Sequence, residues 1–170
     1  MKVFFIGMMG SGKTTLAKKL SELMNKSYVD IDALIELKEN MSISEIFSKY
    51  GEDYFRKIEN ITLRSIGNSE IIACGGGIII NKNNRKFLNE NGFTIYLKTS
   101  LPILAKRLNG LNERPLIKNK DLQKTLSEIY HERKRLYEDA ADLIIETDGK
   151  SLNRIASIIQ EKFINEENHC

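Results

Sequence analysis

The chain has 170 residues, 41% of them hydrophobic and 29% charged, with only two prolines; disordered and collagen-like readings fall away, and a length of this kind buries roughly two-thirds of its unfolded surface around one core. Its 26 basic and 23 acidic residues leave a formal charge of +3 without a basic arm, a balance suited to anionic small molecules rather than to nucleic acid. Cys74 and Cys170 stand far apart with no CxxC partner, which suggests neither a disulfide framework nor a zinc site and points to a reducing, cytoplasmic compartment.

From the N-terminus, Val3 to Met9 is apolar but runs into Gly10-Ser11-Gly12-Lys13 instead of a signal-peptide cleavage site. No apolar run approaches the about eighteen residues a membrane span needs. Short apolar runs at Val3–Ile6, Tyr28–Val29, Ile71–Ala73, Phe93–Leu97 and Leu143–Ile145 read as five strands. They lack the alternation of a half-wet antiparallel sheet, and the intervals between them are long enough for helical crossovers. The expectation is an α/β domain of three layers over residues 1–170, a five-stranded parallel sheet flanked by helices. Helical spacing fits Thr14–Met24, Ala33–Lys38, Asp53–Ile66, Asn83–Asn89, Pro102–Leu108, Leu122–Asp139 and Leu152–Phe163, and Ser42 opens a capping box with Glu45. Asn109 to Lys120 is polar and aperiodic, with Gly110 and Pro115, and reads as a mobile surface loop.

Gly7 to Thr14 is a full GxxxxGK[ST] match lying between the first strand and the first helix. Glycines allow backbone N–H groups to turn around phosphate oxygens, the helix N-terminus adds partial positive charge, and Lys13 reaches the β- and γ-phosphates of a nucleotide. Thr14 is then the Mg²⁺ ligand. Gly10, Ser11, Gly12, Lys13, Thr14 and Thr15 form the candidate phosphate site for ATP.

A P-loop does not name the acceptor, so other polar groups must. Asp30-Ile31-Asp32 follows the second strand at the carboxyl end of the sheet, where open α/β folds bind ligands. If the strand extends that far, alternation sends both carboxylates the same way, one toward the metal and one toward the acceptor, while Asp32 could also cap the following helix. Arg56 and Glu59 share a helix face, so the acid can orient the guanidinium; an exposed ion pair is the bland alternative. Gly75-Gly76-Gly77 follows the third strand and is expected where a ligand approaches the main chain or φ turns positive. The strand lacks the terminal Asp of an ordinary Walker B acid, which argues against a motor ATPase and leaves Asp30 as the metal-side acid.

The P-loop, Asp30-x-Asp32, Gly51 to Glu59, Gly75-Gly76-Gly77 and Arg114-Pro115-Leu116-Ile117 together resemble the shikimate kinase family, in order and over nearly the whole chain. The resemblance implies a P-loop kinase fold with a mobile lid at about 109–122, and transfer of the γ-phosphate of ATP to the 3-hydroxyl of shikimate. It implies that Asp30 supports Mg²⁺ through water, that Asp32 holds shikimate hydroxyls and accepts the proton, and that Arg56, backed by Glu59, binds the shikimate carboxylate. Gly76 and Gly77 lie against the acceptor in that reading. Arg133 joins Arg56 on the carboxylate by motif position, with Arg135 the runner-up, since residues two apart face different ways on a helix. Arg114 in the lid stabilises the transferring phosphoryl group. Arg107 resembles the family arginine that stacks on adenine, with surface solvation the alternative. Phe47 and Phe55 either line the cyclohexene ring or pack in the core. His131 and His169 lie outside every motif. The expected partners are shikimate and ATP, with no nucleic acid or membrane partner, and a monomer is expected.

Overall fold

Every apolar run named above is a strand of a single parallel sheet in the computed structural model, which describes residues 1–109 and 121–167. In chain order these are β1 (Lys2–Ile6), β2 (Tyr28–Asp30), β3 (Ile71–Ala73), β4 (Gly92–Lys98) and β5 (Leu143–Glu146). Their spatial order is β2-β3-β1-β4-β5, and every neighbouring pair is parallel. The helices are α1 (Lys13–Met24), α2 (Ile31–Glu39), α3 (Ile43–Arg64), α4 (Lys82–Asn91), α5 (Leu101–Leu108), α6 (Leu122–Ala140) and α7 (Leu152–Glu167). A single 3₁₀ turn, Ile78–Ile80, precedes α4.

Strand alternation divides the core in two. Val3, Phe5, Ile71, Ala73, Ile95 and Leu97 face Leu16 and Leu20 of α1 and Ile155 and Ile159 of α7. Phe4, Ile6, Ile72 and Tyr96 face the other way, toward Ile35, Phe55, Leu88, Leu104 and Leu126 of the remaining helices. With both faces covered, β1 has no need of polar alternation, and Val3 to Ile6 are fully buried.

Ser42 and Glu45 close both arms of the expected capping box at the start of α3. The Ser42-led helix and the one expected from Asp53 are joined across a kink at Gly51, whose φ of 81° breaks the helical run without ending it. A second difference concerns the carboxylate pair. β2 ends at Asp30 and α2 starts at Ile31, so strand alternation does not govern the two side chains. Asp30, not Asp32, caps α2, accepting a hydrogen bond from the Ala33 N–H at 3.2 Å.

The expected lid falls almost wholly outside the described residues, and Arg114 with it. Of its ends, Asn109 closes α5 through an N–H bond to Ala105 at 2.9 Å, and Asp121 caps α6 by accepting from Lys124 N at 3.1 Å. His169 also lies outside the described residues. No helix among the described residues is long and apolar enough to cross a membrane.

Candidate active site

The P-loop connects β1 to α1 at the carboxyl edge of the sheet, where the central strand meets a helix N-terminus. Gly10 and Gly12 have φ of 79° and 94°, conformations a side chain strains to reach and that let successive N–H groups face one point. Lys13 is buried, and its ammonium donates to Gly7 O at 2.9 Å and Met8 O at 3.0 Å. The cation thus lies across the loop whose concavity would receive phosphate. Ser11 is buried within the turn, whereas Thr14 and Thr15 are exposed at the start of α1.

Thr14 Oγ1 donates to Asp30 Oδ2 at 2.6 Å. Asp30 therefore spends one oxygen on the helix cap and turns the other to the P-loop threonine, which makes a pair of hard oxygen donors beside the phosphate cradle. A hydroxyl, a carboxylate and room for water suit Mg²⁺, which keeps several waters and takes phosphate oxygens as ligands rather than needing a protein cage. Arg107, exposed on α5, donates to Gly10 O at 3.0 Å and so sits at the rim of the same loop.

These groups border a cleft of about 420 Å³ that extends to Asp32, Cys74 and Gly76 on one side. On the other side it reaches Thr147, Lys150, Leu152 and Ile155, around the connection from β5 to α7. Sequence reading did not assign that second wall. Thr147 is buried and its hydroxyl lies 2.7 Å from that of Thr99, tying the ends of β4 and β5 together. Cys74 lines the cleft floor, but burial pushes its thiol well above the ordinary range, so it stays protonated.

Beside the P-loop, three helices converge on the turn Gly75–Gly77. From α3, Arg56 bonds Glu59 Oε2 at 2.9 Å through Nη1 and Glu52 Oε1 at 2.9 Å through Nη2. The Arg56 side chain is only 17% exposed and that of Glu59 1%, so this is a mostly buried pair and not the solvated one that the spacing also allowed. From α2, Asp32 points at Gly75: a methyl group there would stand 2.6 Å from Asp32 Oδ1 and 2.9 Å from Glu59 Oε1. From α6, Arg133 Nη1 donates to Gly76 O at 3.3 Å. Tyr137, one helical turn later, donates its hydroxyl to the same carbonyl and stacks on Tyr96 at 5.0 Å.

The physical reason for the three glycines differs from the one expected in part. None of them is at positive φ. A Cβ on Gly77 would come within 2.3 Å of the Arg56 guanidinium, and one on Gly76 within 3.3 Å of Met9 N in the P-loop. Close approach by buried charged side chains and by the P-loop backbone is what excludes a side chain here.

Burial separates the two α6 arginines. Arg133 is 6% exposed and aimed at the turn, while Arg135 has a side chain 91% exposed that pairs with Asp139 at 3.9 Å. Phe47 and Phe55 meet at a tilt with centroids 4.8 Å apart; Phe55 is a buried core residue, and the partly buried Phe47 packs against that core. His131 is exposed on α6.

Electrostatics follow from the burial. Removal from water pushes the Glu59 carboxyl up to about 7, the nearby Asp32 charge pushes the same way, and Arg56 and Arg133 pull against both. Burial alone would lower the pKa of Arg56, but Glu59 and Glu52 more than offset it and hold the guanidinium charged. The buried Tyr137 hydroxyl is pushed up to about 12, so it remains a hydrogen-bond donor.

Helix-backed P-loop, carboxyl-edge acids and an arginine-lined turn within reach of one cleft define a P-loop kinase for a small anionic acceptor. Comparison with known proteins narrows the class. A family model described as shikimate kinase matches residues 9–163. The shikimate kinase of Geobacter sulfurreducens is 39% identical over 159 residues, covering 92% of this chain and 87% of that protein, and that of Dictyoglomus turgidum is 39% identical over 93% of this chain and 94% of its own. The structure of shikimate kinase from Acinetobacter baumannii in complex with shikimate superimposes with a TM-score of 0.92 at 31% identity, covering 97% of this chain and 93% of that one. A gluconokinase from Sinorhizobium meliloti, at TM-score 0.55 and 12% identity, shares the fold alone. The chain belongs to the shikimate kinase family.

Proposed function

We propose that this protein transfers the γ-phosphate of ATP to the 3-hydroxyl of shikimate, giving shikimate 3-phosphate and ADP, a step in aromatic amino-acid (chorismate) biosynthesis. The observation that carries the reading is the convergence of Asp32, Arg56 and Arg133, from α2, α3 and α6, on the glycine turn beside the P-loop. A guanidinium fork can bond both oxygens of a carboxylate at once, and two guanidinium groups beside a carboxylate base suit a ring bearing one carboxylate and several hydroxyls.

In this reading Gly10 to Thr15 hold the ATP phosphates, Lys13 neutralises the β- and γ-phosphates, and Arg107 guards the nucleotide side. Arg56 and Arg133 hold the acceptor carboxylate against Gly76 and Gly77. Glu59 and Glu52 fix the Arg56 fork, so less freedom is lost when the acceptor binds. Asp32 takes the 3-hydroxyl proton as that oxygen attacks phosphorus and the bond from phosphorus to the ADP oxygen breaks. Mg²⁺, held by Thr14 and through water by Asp30, would supply positive charge for the phosphate oxygens. On its sequence resemblance Arg114 is assigned to the transferring phosphoryl group, with the lid at about 109–122 completing a single domain over 1–170. We place this enzyme in the cytoplasm as a monomer that engages neither nucleic acid nor membrane, a reading supported by the near balance of 26 basic and 23 acidic residues.

The test is coupled ADP release with Mg²⁺-ATP and shikimate, quinate or AMP as acceptor. Strong stimulation by shikimate alone is expected. Stimulation by AMP, or by no acceptor, would reject the assignment and keep only the nucleotide site.

A further inference from the structure

Behind the acceptor turn lies a polar cluster that no step above uses. The 3₁₀ turn Ile78–Ile80 continues directly from Gly77, and such a turn leaves carbonyls without partners of their own. Here all three are taken by two consecutive side chains of α4. Asn84 Nδ2 donates to Ile78 O at 3.2 Å, and Arg85 Nη1 donates to Ile79 O at 2.6 Å and Ile80 O at 3.0 Å.

Asn84 is fully buried, and its other end faces α3. Its Oδ1 accepts from Asn60 Nδ2 at 2.7 Å and from Arg64 Nη1 at 3.1 Å. Arg64 is itself steadied by Asn60 O at 2.8 Å and by the Phe87 ring at 5.3 Å. Asn60 follows Glu59 in sequence and lies one helical turn beyond Arg56, so one side-chain amide joins the helix that carries the acceptor's arginine to the strip that carries Gly77. The spacing it spans is tight, because the Arg56 guanidinium packs against the Cα of Gly77 with no room for a methyl group.

We propose that Asn84 is a positioning residue for the acceptor: by bridging Asn60 and Arg64 to the Ile78 carbonyl, it sets the distance between Arg56 and the Gly75–Gly77 turn and so tunes acceptor binding without touching the acceptor. The inference rests on the shikimate kinase reading above. A purely structural amide would cost stability when removed but would leave the balance between the two substrates unchanged. A positioning amide moves one substrate's KM only, because the P-loop is held by β1 and α1, which Asn84 does not contact through any of these bonds.

The experiment first establishes shikimate-dependent ADP release in the unaltered protein, then compares Asn84→Ala, Asn60→Ala and the exposed α4 control Lys86→Ala. Misplacing a binding group by a fraction of an ångström is expected to raise the shikimate KM about tenfold in Asn84→Ala and a few-fold in Asn60→Ala, with the ATP KM and the control unchanged. In parallel, amide exchange at Ile78 and Ile80, which bond Gly75 O and Gly77 O in the native turn, should accelerate in Asn84→Ala without any ligand. Unchanged shikimate KM in the folded variants, or an equal rise in both KM values, would overturn the proposal, as would unchanged exchange. Asn60 is only half-buried, so its variant decides the matter if Asn84→Ala does not fold. If the unaltered protein ignores shikimate, the functional reading fails by itself, and the exchange comparison still judges the bridge.

Discussion

Two glycine-rich turns lie side by side at the carboxyl edge of the sheet, one after β1 and one after β3, and they use glycine for opposite reasons. In the P-loop, Gly10 and Gly12 are needed for their own backbone, with φ of 79° and 94°. In the turn after β3, Gly75 and Gly77 have ordinary backbone angles and are needed because Asp32, Glu59 and Arg56 press against them. The first turn is a local device that works wherever a strand meets a helix. The second depends on residues 16 to 43 positions away in sequence, brought in by α2 and α3, and in the proposed reading it is what makes the acceptor site particular.

The contrast can be broken by removing charge from each turn. Lys13→Ala is expected to lower kcat about a thousandfold, since a preorganised cation at developing phosphate charge is lost; near-normal turnover would remove Lys13 from the phosphate role. Arg133→Ala is expected to raise the shikimate KM about a hundredfold while the ATP KM holds, in line with losing a desolvated charge partner. Arg135→Ala, its exposed neighbour, should do nothing in the same assay, and equal effects from the two would undo the assignment by burial. Gly77→Ala sharpens the comparison further: its methyl group displaces the Arg56 guanidinium, so acceptor KM should rise about tenfold without loss of nucleotide binding.

A smaller effect appears in the pH dependence of stability. The Glu59 carboxyl is raised from 4.5 to about 7 in the folded state, mainly by burial. Between those values the unfolded chain has lost this proton and the folded chain still holds it, so this group's contribution to stability falls as pH rises through that window. Thermal unfolding of Glu59→Gln against the unaltered protein should show a difference that changes from pH 4.5 to 7 in the direction of relative gain for the variant. A constant difference would mean that Glu59 ionises as an ordinary carboxyl.

What could be read in advance follows the same division. The strands were legible as short apolar runs, and the P-loop and the Ser42–Glu45 box as patterns whose members lie within a few residues. The kink at Gly51 that joins two expected helices was not, since a single glycine at φ 81° gives no periodic signal. Asp30 rather than Asp32 caps α2 because β2 runs one residue further than its apolar core, and either acid satisfies the capping pattern. Glu52 could have been found, as it sits four residues before Arg56 on one helix face. Tyr137 also shares a face with Arg133, yet its target, the Gly76 carbonyl 61 residues away, belongs to the tertiary fold. The nucleotide-cleft wall at Thr147 and Lys150 carries no motif, and only packing brings it opposite the P-loop.

The central claim is that nucleotide and acceptor are held by separate constructions meeting at Gly76. Calorimetric titration of shikimate and, separately, of a non-hydrolysable ATP analogue into the unaltered protein and Arg133→Ala tests it most directly. The account predicts that the variant loses shikimate binding and keeps the nucleotide affinity; loss of both together, or of neither, would contradict it.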